Sequence, residues 1–293
     1  MATAATAAAS PVPAAHFAAP PPIAAAEPAE RPPLEAQVLS LRDGEVDLLT
    51  GAFVARRPCG PETLPPRHHI DLPWAPASLT APGQASELLA VIAHQLAPPR
   101  ARLLAAFLGR ALLPLGARDD WGASPCLVGP GPGKSLVLEA VKMFYRPEDV
   151  QTLALNGRER PGRFDLGDLA GARLLLCHEM PEALDGGCFS RLAKGGRMEL
   201  ERYGAPAVSV DWRAPLLLAG NEMPALRGGA PGWAARFDFD VPLEAARRDP
   251  ALLSRIRAQA PLVLRELMAA YESVLGEVGP QPGAWRPLLG PAA

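Results

Sequence analysis

Lysine is scarce in this chain: Lys134, Lys142 and Lys194 are three among 29 basic residues, and arginine supplies the rest. The bias fits a GC-rich genome. It makes a lysine at a glycine-rich turn worth noting, because an ammonium is a compact point charge that a guanidinium does not reproduce. Cysteine is also sparse. Cys59, Cys126, Cys177 and Cys188 form no C-x-x-C pair, and no histidine cluster sits at zinc spacing, which argues against a structural zinc module. The adjacent His68 and His69 stand in a proline-rich stretch and read as loop residues rather than ligands. No apolar run approaches the ~18–20 residues that cross a bilayer. No basic segment precedes an apolar core at the N-terminus, and no arginine occurs before Arg31, so neither a signal peptide nor a transit peptide is expected. The expected setting is intracellular and reducing. A net charge of −2 leaves no global field for nucleic acid or membrane, so any such contact must be a local patch.

What is there divides the chain into five parts. Residues 1–33 are alanine and proline with almost no charge, a composition that forms neither helix nor sheet and is expected to be a disordered tail. Residues 34–118 form an N-terminal region. Its "AQVLSLRDGEVDLLTGAFVARR" places apolar stretches around Asp-Gly and Thr-Gly turns, which predicts a small β-meander. A proline-rich connector follows over 58–83. Two helices, "ASELLAVIAHQLA" and "ARLLAAFLGRALLPLG", are separated by "PPR". Residues 119–243 alternate apolar strands with helices. "PCLVG", "VQTLAL", "ARLLLCHE" and "APLLLAGNE" are short continuous apolar runs that suit a parallel sheet covered on both faces. "RMELERYGAPAVSVDW" alternates around a turn and predicts a β-hairpin. Residues 244–279 are helical with breaks at "RDP" and "QAP", and 280–293 read as a tail.

The chemistry concentrates in "CLVGPGPGKSLVLEA", residues 126–140. An apolar strand, a glycine turn and a helix aim backbone N–H groups and a helix N-terminus at a phosphate. Lys134 would reach the terminal phosphates, Ser135 would ligate Mg²⁺, and Gly129, Gly131 and Gly133 would let the backbone come close. The loop is one residue short: three residues separate Gly129 from Gly133, where the usual pattern has four. Pro132 also lacks the N–H expected just before the Gly-Lys pair, a loss of about 1.5–3 kcal/mol for one charge-assisted bond. Two further polar residues close apolar strands, Glu179 after "RLLLCH" and Asn221 after "LLLAG". Each is weak alone. A strand-end acid orients water or Mg²⁺ in phosphoryl transfer, and an amide can contact the attacked phosphate.

In their order these residues resemble the superfamily 3 helicases of DNA viruses and phages, in particular the helicase half of poxvirus-type primase–helicases. The matching stretches are "LRDGEVDLLTGAFV", the loop, "RLLLCHEM", "SRLAKGGRMELERYGAP", "LLLAGNEMP" and "WAARFDFDVPL", covering about residues 36–279. The resemblance implies an α/β fold: a P-loop NTPase core of AAA+ type with a mostly parallel sheet, a small N-terminal β/helical domain and C-terminal helices. It implies Lys134 and Ser135 as the Walker A pair, Glu179 as the Walker B acid, Asn221 as the sensor, and Arg236 as a finger reaching the neighbouring subunit's nucleotide. ATP and Mg²⁺ are the implied cofactors. Single-stranded DNA and a hexameric ring of like subunits are the implied partners, and the host cytoplasm or nucleus the implied place if the source is viral. Arg191, Lys194, Arg197 and Arg202, the last followed by Tyr203, match the family's DNA-gripping hairpin region. Here Arg197 stands where the family has aspartate, and interleaved Glu199 and Glu201 equally suit a solvated charge run. The tail is too short to be a primase domain, so priming would fall to another polypeptide. Two rivals remain open: a decayed relative that binds DNA or scaffolds a ring without hydrolysis, and a small-molecule kinase, disfavoured because no compact arginine-rich lid follows Asn221.

Overall fold

The N-terminal meander forms three antiparallel strands. β1 (Val38–Leu41) pairs with β2 (Gly44–Asp47), which pairs with β3 (Phe53–Ala55). Asp43 in the first turn accepts the Trp74 N–H at 2.8 Å, which ties that turn to residues 72–74. A fourth short strand, β4 (His69–Ile70), adds parallel to β1 from within the stretch read as a connector, so His69 is a strand residue. The computed structural model describes residues 38–47, 52–55, 69–70, 72–74, 85–155, 157–159, 165–202, 204–228, 231–242 and 249–289. The alanine/proline tail, Cys59, His68, Tyr203 and residues 290–293 lie outside them.

Helix α1 (Glu87–Gln95) is capped by Ser86, whose hydroxyl accepts the Leu89 N–H at 3.3 Å. Helix α2 (Pro98–Arg110) begins on the first proline of "PPR" rather than after it. Proline suits that position, since its missing N–H would have no partner in a first turn.

The central sheet collects the apolar runs. Strand β5 (Ser124–Val128) leads into α3 (Lys134–Lys142), then β6 (Val150–Thr152), the short α4 (Asp165–Asp168) and β7 (Leu174–Cys177). The chain continues through β8 (Ala183–Asp185), α5 (Gly186–Lys194) and the antiparallel hairpin β9 (Gly196–Arg202) and β10 (Ala205–Trp212). Strand β11 (Leu216–Ala219) returns to the sheet, β12 (Ala225–Arg227) pairs with β8, and β13 (Ala234–Asp238) completes the sheet. The order is β13-β5-β11-β7-β6, and every pairing in it is parallel. The fold is thus mixed α/β, with a parallel central sheet and flanking helices.

Both faces of that sheet are covered, which is why its strands lack polar alternation. Leu127, Leu174, Leu176, Leu217 and Phe237 face a core shared with α1, α2, α3, α6 (Leu252–Ala258) and α7 (Ala260–Val278). Cys126, Leu175, Cys177, Leu216 and Leu218 face a second core with α5 and the hairpin. The first core also takes Leu41, Val46 and Ile70 from the N-terminal sheet, and Trp285 from the segment read as a tail. Trp285 is 1% exposed and meets Phe107 edge-on at 5.4 Å. A single large aromatic among prolines and glycines therefore ties residues 280–289 to α2. Among the described residues no helix is long and apolar enough to cross a membrane.

Candidate functional site

Strand β5 ends buried at Val128, and the chain turns at once. Gly129 has φ +117° and Gly133 φ +104°, left-handed values that suit glycine. Helix α3 then starts at Lys134, with Gly133 as its cap and no side chain capping it. The backbone N–H groups of Gly133, Lys134, Ser135 and Leu136 have no hydrogen-bond partner among the described residues. Four consecutive open amides at a helix start form a partial positive charge, the physical basis of an anion site. Ser135 is exposed beside them.

The rest of the turn is spent internally. Pro130 and Pro132 have no N–H to offer. Gly129 donates to the Asn221 carbonyl at 2.9 Å, and Gly131 donates to the Phe239 carbonyl at 2.6 Å. Lys134 Nζ folds back to donate to the Gly131 carbonyl at 2.8 Å and to the Gly129 carbonyl. Burial pulls its ammonium below the ordinary lysine range, and the Asp240 carboxylate pushes the other way. The lysine therefore holds the turn together through its own carbonyls.

The strand ends bring the expected partners alongside. Gly220 donates to Leu127 at 3.0 Å and Met180 donates to Ala219 at 2.9 Å, so the chain just after β5, β11 and β7 is stitched edge to edge. Asn221 and Glu179, both exposed, stand at the same carboxyl-terminal rim as the turn. In open parallel α/β sheets, ligands bind at that rim. His178 Nε2 lies 4.0 Å from Glu139 Oε1 on α3, and a cleft of about 340 Å³ opens between the ends of β6 and β7, lined by Thr152, His178 and Glu179. Among the described residues no cluster of three or more histidine, cysteine or acidic side chains stands ready for a metal.

Arg236 is not at this rim. It lies mid-strand on the edge strand β13, level with Cys126, exposed, with Nε on Asp238 at 2.5 Å. Arg100 from α2 holds the same Asp238 at 3.1 Å and caps the Arg236 carbonyl at 2.7 Å.

The basic segment lies on the other core. Arg191 and Lys194 are exposed near the end of α5, and Arg202 is exposed near the hairpin turn. Met198 and Leu200 point into the core, so Arg197, Glu199 and Glu201 share the opposite face. Asp211 stands opposite Arg197, Arg197 donates to Ser209 at 2.9 Å, and Asp211 pairs with Arg213 at 2.6 Å. That outward face is balanced to acidic rather than basic.

Sequence reasoning missed two residues at the turn. Asp240 reaches over Gly129, where an added Cβ would lie 2.3 Å from its Oδ1. Gln95, buried on α1, binds both backbone groups of Val241. No local pattern marks either of them.

No protein-family model and no curated protein matches the chain. Solved structures of the NrS-1 C-terminal region are similar to part of it. An A-form apo structure shares 13% identity at a TM-score of 0.47, covering 68% of this chain and 51% of that one. A second A-form apo structure shares 12% at 0.48, covering 68% and 48%. A further apo structure shares 11% at 0.46, covering 70% and 55%. The chain spans about half the length of these structures.

Proposed function

We propose that this chain is an ATP-driven DNA translocase of the superfamily 3 helicase kind, working as a ring of like subunits. The observation that carries the reading is the open helix start after β5. Four unpaired amides and Lys134 face the rim where Glu179 and Asn221 stand. Those amides and the Lys134 ammonium would hold the phosphates, and Ser135 with Glu179 would hold Mg²⁺. The donor set fits an anion at the helix start. Bound Mg-ATP supplies the free energy of a phosphoanhydride bond.

Each residue has a separate task. Lys134 must leave the Gly129 and Gly131 carbonyls to meet a phosphate. Glu179 would orient water, and Asn221, whose carbonyl already anchors Gly129, would offer its side-chain amide to the reacting end. Arg236 stands too far down its own strand to serve its own loop, which suits service to a neighbour. Single-stranded DNA would meet Arg191, Lys194 and Arg202 through its phosphates, with Arg197, set among Glu199, Glu201 and Asp211, the weaker contact. ATPase activity stimulated by single-stranded DNA, and lost in Lys134→Ala, is the expected result. Absence of turnover at millimolar Mg-ATP with DNA present would sink the translocase.

The second reading, a ring or DNA-binding subunit without hydrolysis, is favoured by the amides already spent. Gly129 and Gly131 bond within the protein, and two prolines donate nothing. It is met by oligomers that bind DNA while calorimetry detects no Mg-dependent nucleotide binding.

A further inference from the structure

Residues Phe239–Val241, just after β13, cross the turn between β5 and α3 like a strap. Phe239 donates to the Val128 carbonyl and accepts from Gly131, both at 2.6 Å. The glycines of the turn answer to this crossing: an added Cβ at Gly129 would meet Asp240 Oδ1 at 2.3 Å, and one at Gly131 would meet the Phe239 carbonyl at 2.3 Å. Gln95 fixes the strap from α1. Its Nε2 donates to the Val241 carbonyl at 2.9 Å and its Oε1 accepts the Val241 N–H at 3.0 Å. The same Oε1 lies 3.1 Å from where a Gly131 Cβ would stand, so α1, the strap and the turn meet at one point.

We propose that the strap is a built-in competitor of the phosphate site: the Asp240 carboxylate holds the electrostatic place beside Lys134 that an incoming phosphate tail must take, and Gln95 is its positioning residue. The proposal rests on the nucleotide reading above and adds the regulation of that site. The placement makes Asp240 costly to a polyanion, since a fixed negative charge over Gly129 repels phosphate and attracts the lysine meant for it. Gln95 makes the arrangement durable, because one side chain pairing with both backbone groups of one residue cannot slide without losing both bonds. The strap also continues β13, so its displacement by a ligand would be felt at Asp238 and Arg236, two and four residues upstream.

Calorimetric titration with Mg-ATP and with Mg-tripolyphosphate tests this on the full chain. Asp240→Asn should tighten both ligands about three- to tenfold, Asp240→Glu should restore wild-type affinity, and Lys134→Ala should lose both. Gln95→Ala should shift affinity in the direction of Asp240→Asn. If wild type binds and Asp240→Asn binds equally or more weakly, the strap is no competitor while the nucleotide reading stands. If Gln95→Ala binds as wild type does, the positioning role of Gln95 falls. If no variant binds either ligand while thermal unfolding shows each one folded, the nucleotide reading fails and the competitor with it.

Discussion

A methyl group at Gly131 would sit 2.3 Å from a backbone oxygen that has no flexible end to swing away. Gly131→Ala should therefore cost about 1–3 kcal/mol by overpacking, read as a lower urea midpoint with unchanged m-value. The cysteines give a second test at this scale. Burial pushes the Cys126 thiol far above its ordinary range, with Cys177 adding to the effect, and burial pushes Cys177 up to about 11. In a Cys59→Ala background, the folded protein should resist alkylation at pH 8 until denaturant is added. Rapid labelling of Cys126 or Cys177 without denaturant would contradict the structure. The sequence carried Lys134, Ser135, Glu179 and Asn221 to one rim because strand ends and glycine turns are local signals. Asp240 and Gln95 were not read as site residues, because their placement depends on which strand pairs beside β5, a long-range fact.

Among the elements, α2 and α7 pack closely enough that an added Cβ on Gly109 would lie 2.2 Å from the Leu267 carbonyl. Alanine gains about 1 kcal/mol of helix propensity over glycine. The contact sets the sign here, and Gly109→Ala should lower the thermal midpoint. Beside it lies a buried pair: Arg110 Nε meets both oxygens of Asp119 at 2.8 and 2.9 Å, and Arg110 also donates to Ala123 at 3.1 Å. Tyr271 on α7 donates to the same carboxylate. Asp119→Ala strands a buried guanidinium and should cost about 3–5 kcal/mol, while replacing a well-paired ion pair by apolar residues need not. Chemical denaturation of both single variants and the double variant with Arg110 separates these cases. The meander, the hairpin and the break at Gln259 between α6 and α7 were legible from turns and periodicity. The pairing of β8 with β12 and the strand β13 were not. Strands of three to five residues among prolines carry too little pattern to stand out.

For the whole molecule, the buried acids that stay protonated set a limit in alkali. Cys126, Cys177, Tyr145 and Tyr271 are all raised above their ordinary values, chiefly by burial. The unfolded chain releases these protons first, from about pH 9 upward, so it binds fewer protons than the native state there. Stability should hold below that value and fall steadily above it, as unfolding midpoints across pH 8–11 would register. A flat profile would mean the four groups are hydrated in the native state.

The guanidinium of Arg100, laid across the Arg236 carbonyl, bears on how copies of this chain meet. Strand β13 borders the sheet, and a bare border invites another strand to zip onto it. One of its acceptors is already occupied, and the charged Arg236 and Asp238 stand along the same margin. Copies of the chain are thus discouraged from fusing into a continuous sheet along this margin. In the ring proposed above, neighbours meeting here would touch through side chains, a contact that can be made and broken.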